Sequence, residues 1–83
     1  MFNLEKSKIN DKRFNFGKYE LRAETEHYFI NNKPDEFRGR VVCIYEDQTV
    51  WKTYGTGIYR LNIDDAMIDA NSLLDYIVSI NSR

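Results

Sequence analysis

Lys18-Tyr-Glu-Leu-Arg-Ala-Glu-Thr-Glu-His27 carries a charge at every even position, with Tyr19, Leu21, Ala23 and Thr25 between the charges. A β-strand turns successive side chains to opposite faces, so this stretch has one side for water and one for packing. Strands of that kind belong to antiparallel sheets, which stay solvated on one face and are covered on the other.

Working outward, a first strand is expected over residues 14–29. Asn31-Asn-Lys-Pro-Asp-Glu36 then breaks the pattern, and Pro34 excludes the middle of a sheet. A second strand is expected over 37–46, because Val41-Val-Cys-Ile-Tyr45 is dense in β-branched and aromatic residues. Asp47-Gln48 turns the chain into a third strand over 49–54. Gly55-Thr-Gly57 interrupts it, leaving residues 58–62 as a fourth short strand or a bent continuation.

The helix is expected over residues 64–81, with Asp64 as N-cap and Asp65 placing negative charge in the first turn. Ala66, Ala70, Leu73, Leu74, Ile77 and Ile80 share one face, and the two alanines allow close approach to the sheet. Met67, Tyr76 and Val78 widen the apolar stripe, and Ile68 lies outside it. The expected fold class is α+β: a three- to four-stranded antiparallel β-meander with one C-terminal α-helix packed on one face. Residues 1–13 read as a polar N-terminal arm, able to dock through Phe2, Leu4 and Ile9, ahead of a single domain over 14–83.

Charge narrows the register of the first two strands. Like faces must stay together, so only every second register is allowed. One of these sets Glu26 against Arg38, Glu24 against Arg40 and Lys18 against Glu46, with Ala23–Val41, Leu21–Cys43 and Tyr19–Tyr45 inside. On that register Val42 and Ile44 join the charged residues outside. Lys52 is costly to bury, which favours Trp51 inward and Tyr54 outward with Val50. An apolar cluster then sits on a face the helix cannot reach. Either the arm folds across it, or it is a contact surface for another chain.

Composition bounds the rest. The 83 residues are 42% hydrophobic, 30% charged and 14% aromatic, which is one small globular domain near the lower size limit for a self-sufficient core. A net charge of −1 gives no general pull on nucleic acid or membrane. Residues 1–22 nevertheless carry six Lys or Arg against three acids, whereas residues 60–83 carry two Arg against four Asp. The lone cysteine, Cys43, excludes an internal disulfide. No run of spanning length and no leader-like start is seen, so a cytoplasmic location is expected.

Candidate chemistry is thin. His27 is the only histidine, and its expected place is a strand end remote from Cys43, which argues against a nucleophilic pair. Asp64, Asp65 and Asp69 could be read as metal ligands, but capping and dipole complementarity account for the first two. Gly55-Thr-Gly57 lacks the Lys-Ser/Thr of a phosphate loop and the third glycine of a dinucleotide fingerprint. No catalytic, cofactor-binding or metal residue is therefore assigned. Arg38 and Arg40, near Tyr28, Lys52 and Tyr54, could form a platform for single-stranded nucleic acid, but Glu20, Glu24, Glu26 and Glu46 share that face.

The resulting expectation is a small non-enzymatic interaction protein that binds another macromolecule. Its expected binding residues are Arg38, Arg40, Val42, Ile44 and Tyr54 on the outer sheet face, or Ile68 on the helix. The expected partner is a protein, or a second copy of this chain as a homodimer, with single-stranded nucleic acid as the alternative and no membrane. Small chains rich in Asn, Ile, Lys and Tyr are common among accessory products of phages and mobile elements. Many of those act as stoichiometric inhibitors of host enzymes or defence complexes, and that compositional analogy extends the expectation.

Overall fold

A computed structural model describes residues 6–81. Four strands, β1 (Arg13–Phe16), β2 (Tyr19–Tyr28), β3 (Glu36–Tyr45) and β4 (Val50–Arg60), form one antiparallel sheet in sequence order. The helix α1 (Ile63–Asn81) packs on one face. This is the expected α+β meander.

The long first strand is in fact two. Gly17 takes φ 62°, a left-handed conformation that suits the first central position of a two-residue hairpin turn. The chain therefore reverses at Gly17-Lys18, pairing Phe14 with Leu21 and Phe16 with Tyr19. Lys18 sits in that turn and outside the β2–β3 ladder, so the expected Lys18–Glu46 pair is not a rung. Every other expected β2–β3 pair forms, from Tyr19–Tyr45 to Glu26–Arg38.

β4 runs unbroken through Gly55-Thr-Gly57, the bent-continuation alternative, and two irregularities shape it. Trp51 is an extra residue between the Cys43–Lys52 and Ile44–Val50 pairs. Thr56, Gly57 and Ile58 bulge opposite Gly39 alone, with Gly57 at φ 78°. Bulges of this kind bend the strand and re-aim its side chains.

The helix is seated where the side chains are smallest. A Cβ on Gly39 would stand 2.4 Å from the Ala66 carbonyl oxygen and 2.6 Å from the Ala70 nitrogen, so backbone rests on backbone there. Ala66 and Ala70 are fully buried, as the close-approach expectation requires. Around this point Leu21, Ala23, Val41, Cys43, Met67, Leu74 and Ile77 close the core.

The cap lies two residues earlier than expected. Asn62 Oδ1 accepts from the backbone N–H of Asp64 at 2.7 Å and of Asp65 at 3.4 Å, so Asn62 is the N-cap and Asp64 is already helical. Asp64 is thereby released for another task. Its Oδ1 accepts from the Lys8 N–H at 2.7 Å and from Ser7 Oγ at 2.8 Å, pinning the N-terminal arm to the start of the helix.

The arm's described residues thus dock along the helix and not across the outer sheet face. Ile9 packs on the core, Lys12 N–H donates to Asn71 Oδ1, and Asn71 Nδ2 donates to the Asn10 carbonyl, both at 2.9 Å. Phe2 and Leu4, the other expected anchors, lie outside the described residues. Among the described residues, no helix is long and apolar enough to cross a membrane.

Candidate functional site

The outer sheet face is built almost wholly from paired charges. Arg40 donates to Glu24 Oε1 from Nη2 at 2.8 Å and from Nε at 3.1 Å, and Arg38 Nη2 donates to Glu26 at 2.9 Å. Arg22 bonds Glu20 on its own strand at 2.8 Å. These are the cross-strand ion pairs that the alternation of 18–27 implied.

Arg38 is the most tightly held of them. Its guanidinium lies 5.8 Å from the Tyr28 ring and 5.6 Å from the Tyr59 ring, while the Tyr28 hydroxyl also donates to Glu26. Burial pushes the Glu26 carboxyl up, but the hydrogen bonds from Tyr28 and Arg38, with Arg38's charge, outweigh it and hold it below its ordinary value.

Val42 and Ile44 point outward as expected, yet they are only 4% and 7% exposed. Val42 is flanked by Arg22 and Thr53 on the neighbouring strands, and Ile44 by Glu20 and Val50. The aliphatic stems of charged side chains cover apolar surface while their heads stay wet. The expected apolar contact patch is therefore sealed by its own neighbours, and Arg38 and Arg40, meant to frame it, are engaged with Glu26 and Glu24.

Tyr54 is not on that face. It pairs with Val41 and packs against the core, beneath the helix. The extra residue at Trp51 is the cause, because it shifts the alternation of β4 by one position. Trp51 faces the helix side as expected, its ring 5.2 Å from Tyr19. Lys52, expected outside, pairs with Cys43 on the helix side and stays exposed at the sheet edge, its ammonium 5.2 Å over the Tyr54 ring.

Ile68 is where the helical wheel put it, 47% exposed on the solvent side of α1. The two flanks of the helix differ sharply. Asp64, Asn71 and Asp75 hold the arm, the last through a 2.7 Å ion pair with Lys12. The opposite flank carries Asp69, bonded to Arg60 of β4 at 2.7 Å, followed at helical spacing by Leu73, Tyr76 and Ile80. Tyr76 is 62% exposed and Ile80 is exposed too.

That flank adjoins β4, the bare edge of the sheet. One side of β4 pairs with β3, and among the described residues no strand covers the other. Val50, Trp51, Ile58, Tyr59 and, just beyond, Leu61 are all exposed. Sequence reasoning allowed residues 58–62 as a bent continuation of this strand but sought the contact surface on the outer sheet face and the helix, and so did not weigh the edge. The signal was available in Ile58-Tyr59, which continues the strand composition beyond the glycines.

The residues weighed for chemistry lie apart. His27 pairs with Phe37 while Cys43 pairs with Leu21, six residues along the strand, or roughly 20 Å. His27 is stacked on Phe37 at 4.4 Å, and its Nε2 lies 3.1 Å from Asp35. The Cys43 thiol is buried, which pushes its pKa up and leaves it a poor nucleophile. Asp64, Asp69 and Asp75 are spread over two helix flanks with separate partners, and among the described residues no His, Cys, Asp or Glu cluster could hold a metal ion.

Compared with family models, curated proteins and solved structures, the chain matches none.

Proposed function

We propose that this protein is a non-enzymatic interaction protein, and that it binds a second protein through the bare edge of β4 and the adjoining helix flank. The observation that carries the reading is the placement of exposed large apolar side chains. The longest run of them is on β4 and the adjoining Tyr76–Ile80 flank, against Phe14 and Phe16 on β1, while Arg38 and Arg40 on the outer face are held in ion pairs. A free edge also offers unpaired backbone N–H and C=O groups, to which an extended segment can add as a further strand.

The edge favours a foreign partner over a second copy. β4 contains Lys52 and Arg60 and no carboxylate, so an antiparallel ladder of two β4 strands gathers four cations, of which the two Arg60 bring a counter-charge in Asp69 and the two Lys52 form no described ion pair. An acidic extended segment suits it better. Occupying a partner's edge-binding segment stoichiometrically is how so small a chain would inhibit a larger enzyme or complex. The single-stranded nucleic-acid alternative draws on Arg38 and Arg40, whose charges are paired with Glu26 and Glu24, and the Arg38 Nε that has no hydrogen-bond partner among the described residues is buried.

The test is a comparison of affinity captures from the native host using wild type, Ile58→Glu, Tyr76→Glu and Ile68→Glu. These positions are exposed, so their charged variants should keep the fold, as circular dichroism would verify. The expected result is one partner lost with the first two variants and kept with the third. A partner retained by all folded variants would overturn the β4 assignment. Concentration-dependent dimerisation in light scattering would favour self-association instead.

A further inference from the structure

Where the last turns of α1 meet the sheet, a cavity of ≈ 290 Å³ opens to solvent. Phe16, Tyr19, Trp51 and Tyr54 form its walls, Cys43 lies at its floor and Ile77 closes the helix side. Among the described residues no lining side chain is charged. Their polar groups are two phenols, the Trp51 indole N–H, the Cys43 thiol and the Asn81 carboxamide, whose Nδ2 already donates to the Ile77 carbonyl at 2.8 Å.

We propose that this aromatic cup binds a small neutral aromatic molecule. The Lys52 ammonium lies outside this lining, 5.2 Å over the Tyr54 ring, and no described lining residue carries a charge, so an ionised group seated among the rings would be desolvated without a direct partner. The ring cluster is open on one side. Tyr19 packs against Tyr45 at 5.1 Å and Trp51 at 5.2 Å, both tilted, yet Trp51 remains 65% exposed. Its free surface gives a further ring the offset or edge-on contact that aromatic pairs prefer. The volume lies near the lower end of the ligand-pocket range, about 300–1,000 Å³, which limits the ligand to a small ring system. The cup shares Trp51 with the β4 edge but needs no protein partner, and the failure of either reading leaves the other standing.

Trp51 is the only tryptophan of the chain, and Cys43 the only cysteine, so both walls and floor report separately. N-phenyl-1-naphthylamine, a neutral fluorophore, titrated into the whole protein should bind saturably at one per chain and quench Trp51 by energy transfer. At saturation, modification of Cys43 by methyl methanethiosulfonate should slow by about tenfold or more. The sulfonated analogue 1-anilinonaphthalene-8-sulfonate should bind at least roughly tenfold more weakly.

Trp51→Ala, followed by the probe's own emission, should weaken binding by a similar factor. Cys43→Met, which extends a side chain into the open volume, should abolish it. Absence of saturation, equal binding of the sulfonate, or unchanged Cys43 modification with probe bound would each overturn the proposal. The last readout uses wild-type protein and decides the matter even where a variant fails to fold.

Discussion

The two edges of this sheet are held in opposite ways. On the β1 side the strand is four residues long, and the chain before it is stitched to the helix by Ser7, Lys8, Asn10 and Lys12. The Lys12 carbonyl also accepts from Ala23 N–H at 2.9 Å, prolonging the β1–β2 ladder. On the β4 side the strand is eleven residues long and its edge is bare; a single ion pair, Arg60–Asp69, ties it to the helix. The segment leading into β1 is thus fastened within the chain, whereas among the described residues no strand covers the outer side of either β1 or β4, and the uncovered edge of β4 is much the longer. Exposed apolar residues occur at both margins, Phe14 and Phe16 on β1 and Val50, Trp51, Ile58 and Tyr59 on β4, with the longer run on β4.

The largest effect should come from removing the seat on which both margins depend. Gly39→Ala puts a methyl group within 2.4 Å of the Ala66 carbonyl oxygen, and the obstruction is helix backbone rather than a side chain that can swing away. The helix must rise, separating Ala66 and Ala70 from the sheet and loosening the arm and the Arg60–Asp69 tie together. Overpacking of this kind typically costs ~1–3 kcal/mol, with more expected against backbone. Urea denaturation should show a correspondingly lower midpoint, and a wild-type midpoint would mean that the helix is not seated on Gly39.

A smaller effect should separate the two margins directly. Asn71 is 9% exposed and its amide meets two backbone groups of the arm, so Asn71→Ala strands the Lys12 N–H and the Asn10 carbonyl. Leaving buried partners unsatisfied costs about 1–3 kcal/mol. Arg60→Ala breaks a partly exposed ion pair on the β4 side, which is worth about 0–1 kcal/mol. Equilibrium unfolding of the two variants should rank them in that order. Equal losses would mean that the β4 margin is as firmly fastened as the β1 margin.

How far the sequence reached follows the same division. The β2–β3 register was legible because period two forbids half the alternatives and Glu24–Arg40 with Glu26–Arg38 selects among the rest. The Gly17-Lys18 turn was missed although it shifts the inward side chains from even positions (Phe14, Phe16) to odd ones (Tyr19, Leu21), a change of phase that one continuous strand cannot contain. Tyr54 went to the wrong face because a one-residue bulge at Trp51 inverts everything after it, and no local propensity marks a bulge. Val42 and Ile44 were placed on the right face and given the wrong exposure. Periodicity reports which way a side chain points, while its burial depends on what stands beside it in neighbouring strands.

The arm's location was open for a similar reason, since a short polar segment can reach either face. The structure makes it depend on one carboxylate, which gives the finest test of the contrast between margins. The hydrogen bond from Lys8 N–H, then that from Ser7, holds the Asp64 carboxyl below its ordinary value of 3.8. A carboxylate whose pKa is depressed on folding stabilises the docked state fully above the unfolded value and loses that contribution as pH falls through the folded one. The arm should therefore loosen only below about pH 4. In an NMR titration the Lys8 amide should move upfield as Asp64 protonates, with faster hydrogen exchange at Lys8. Asp64→Asn, which keeps an acceptor oxygen but no charge, should remove that pH dependence. A Lys8 resonance unchanged from neutral pH to acid unfolding would show that the carboxylate does not fasten the arm.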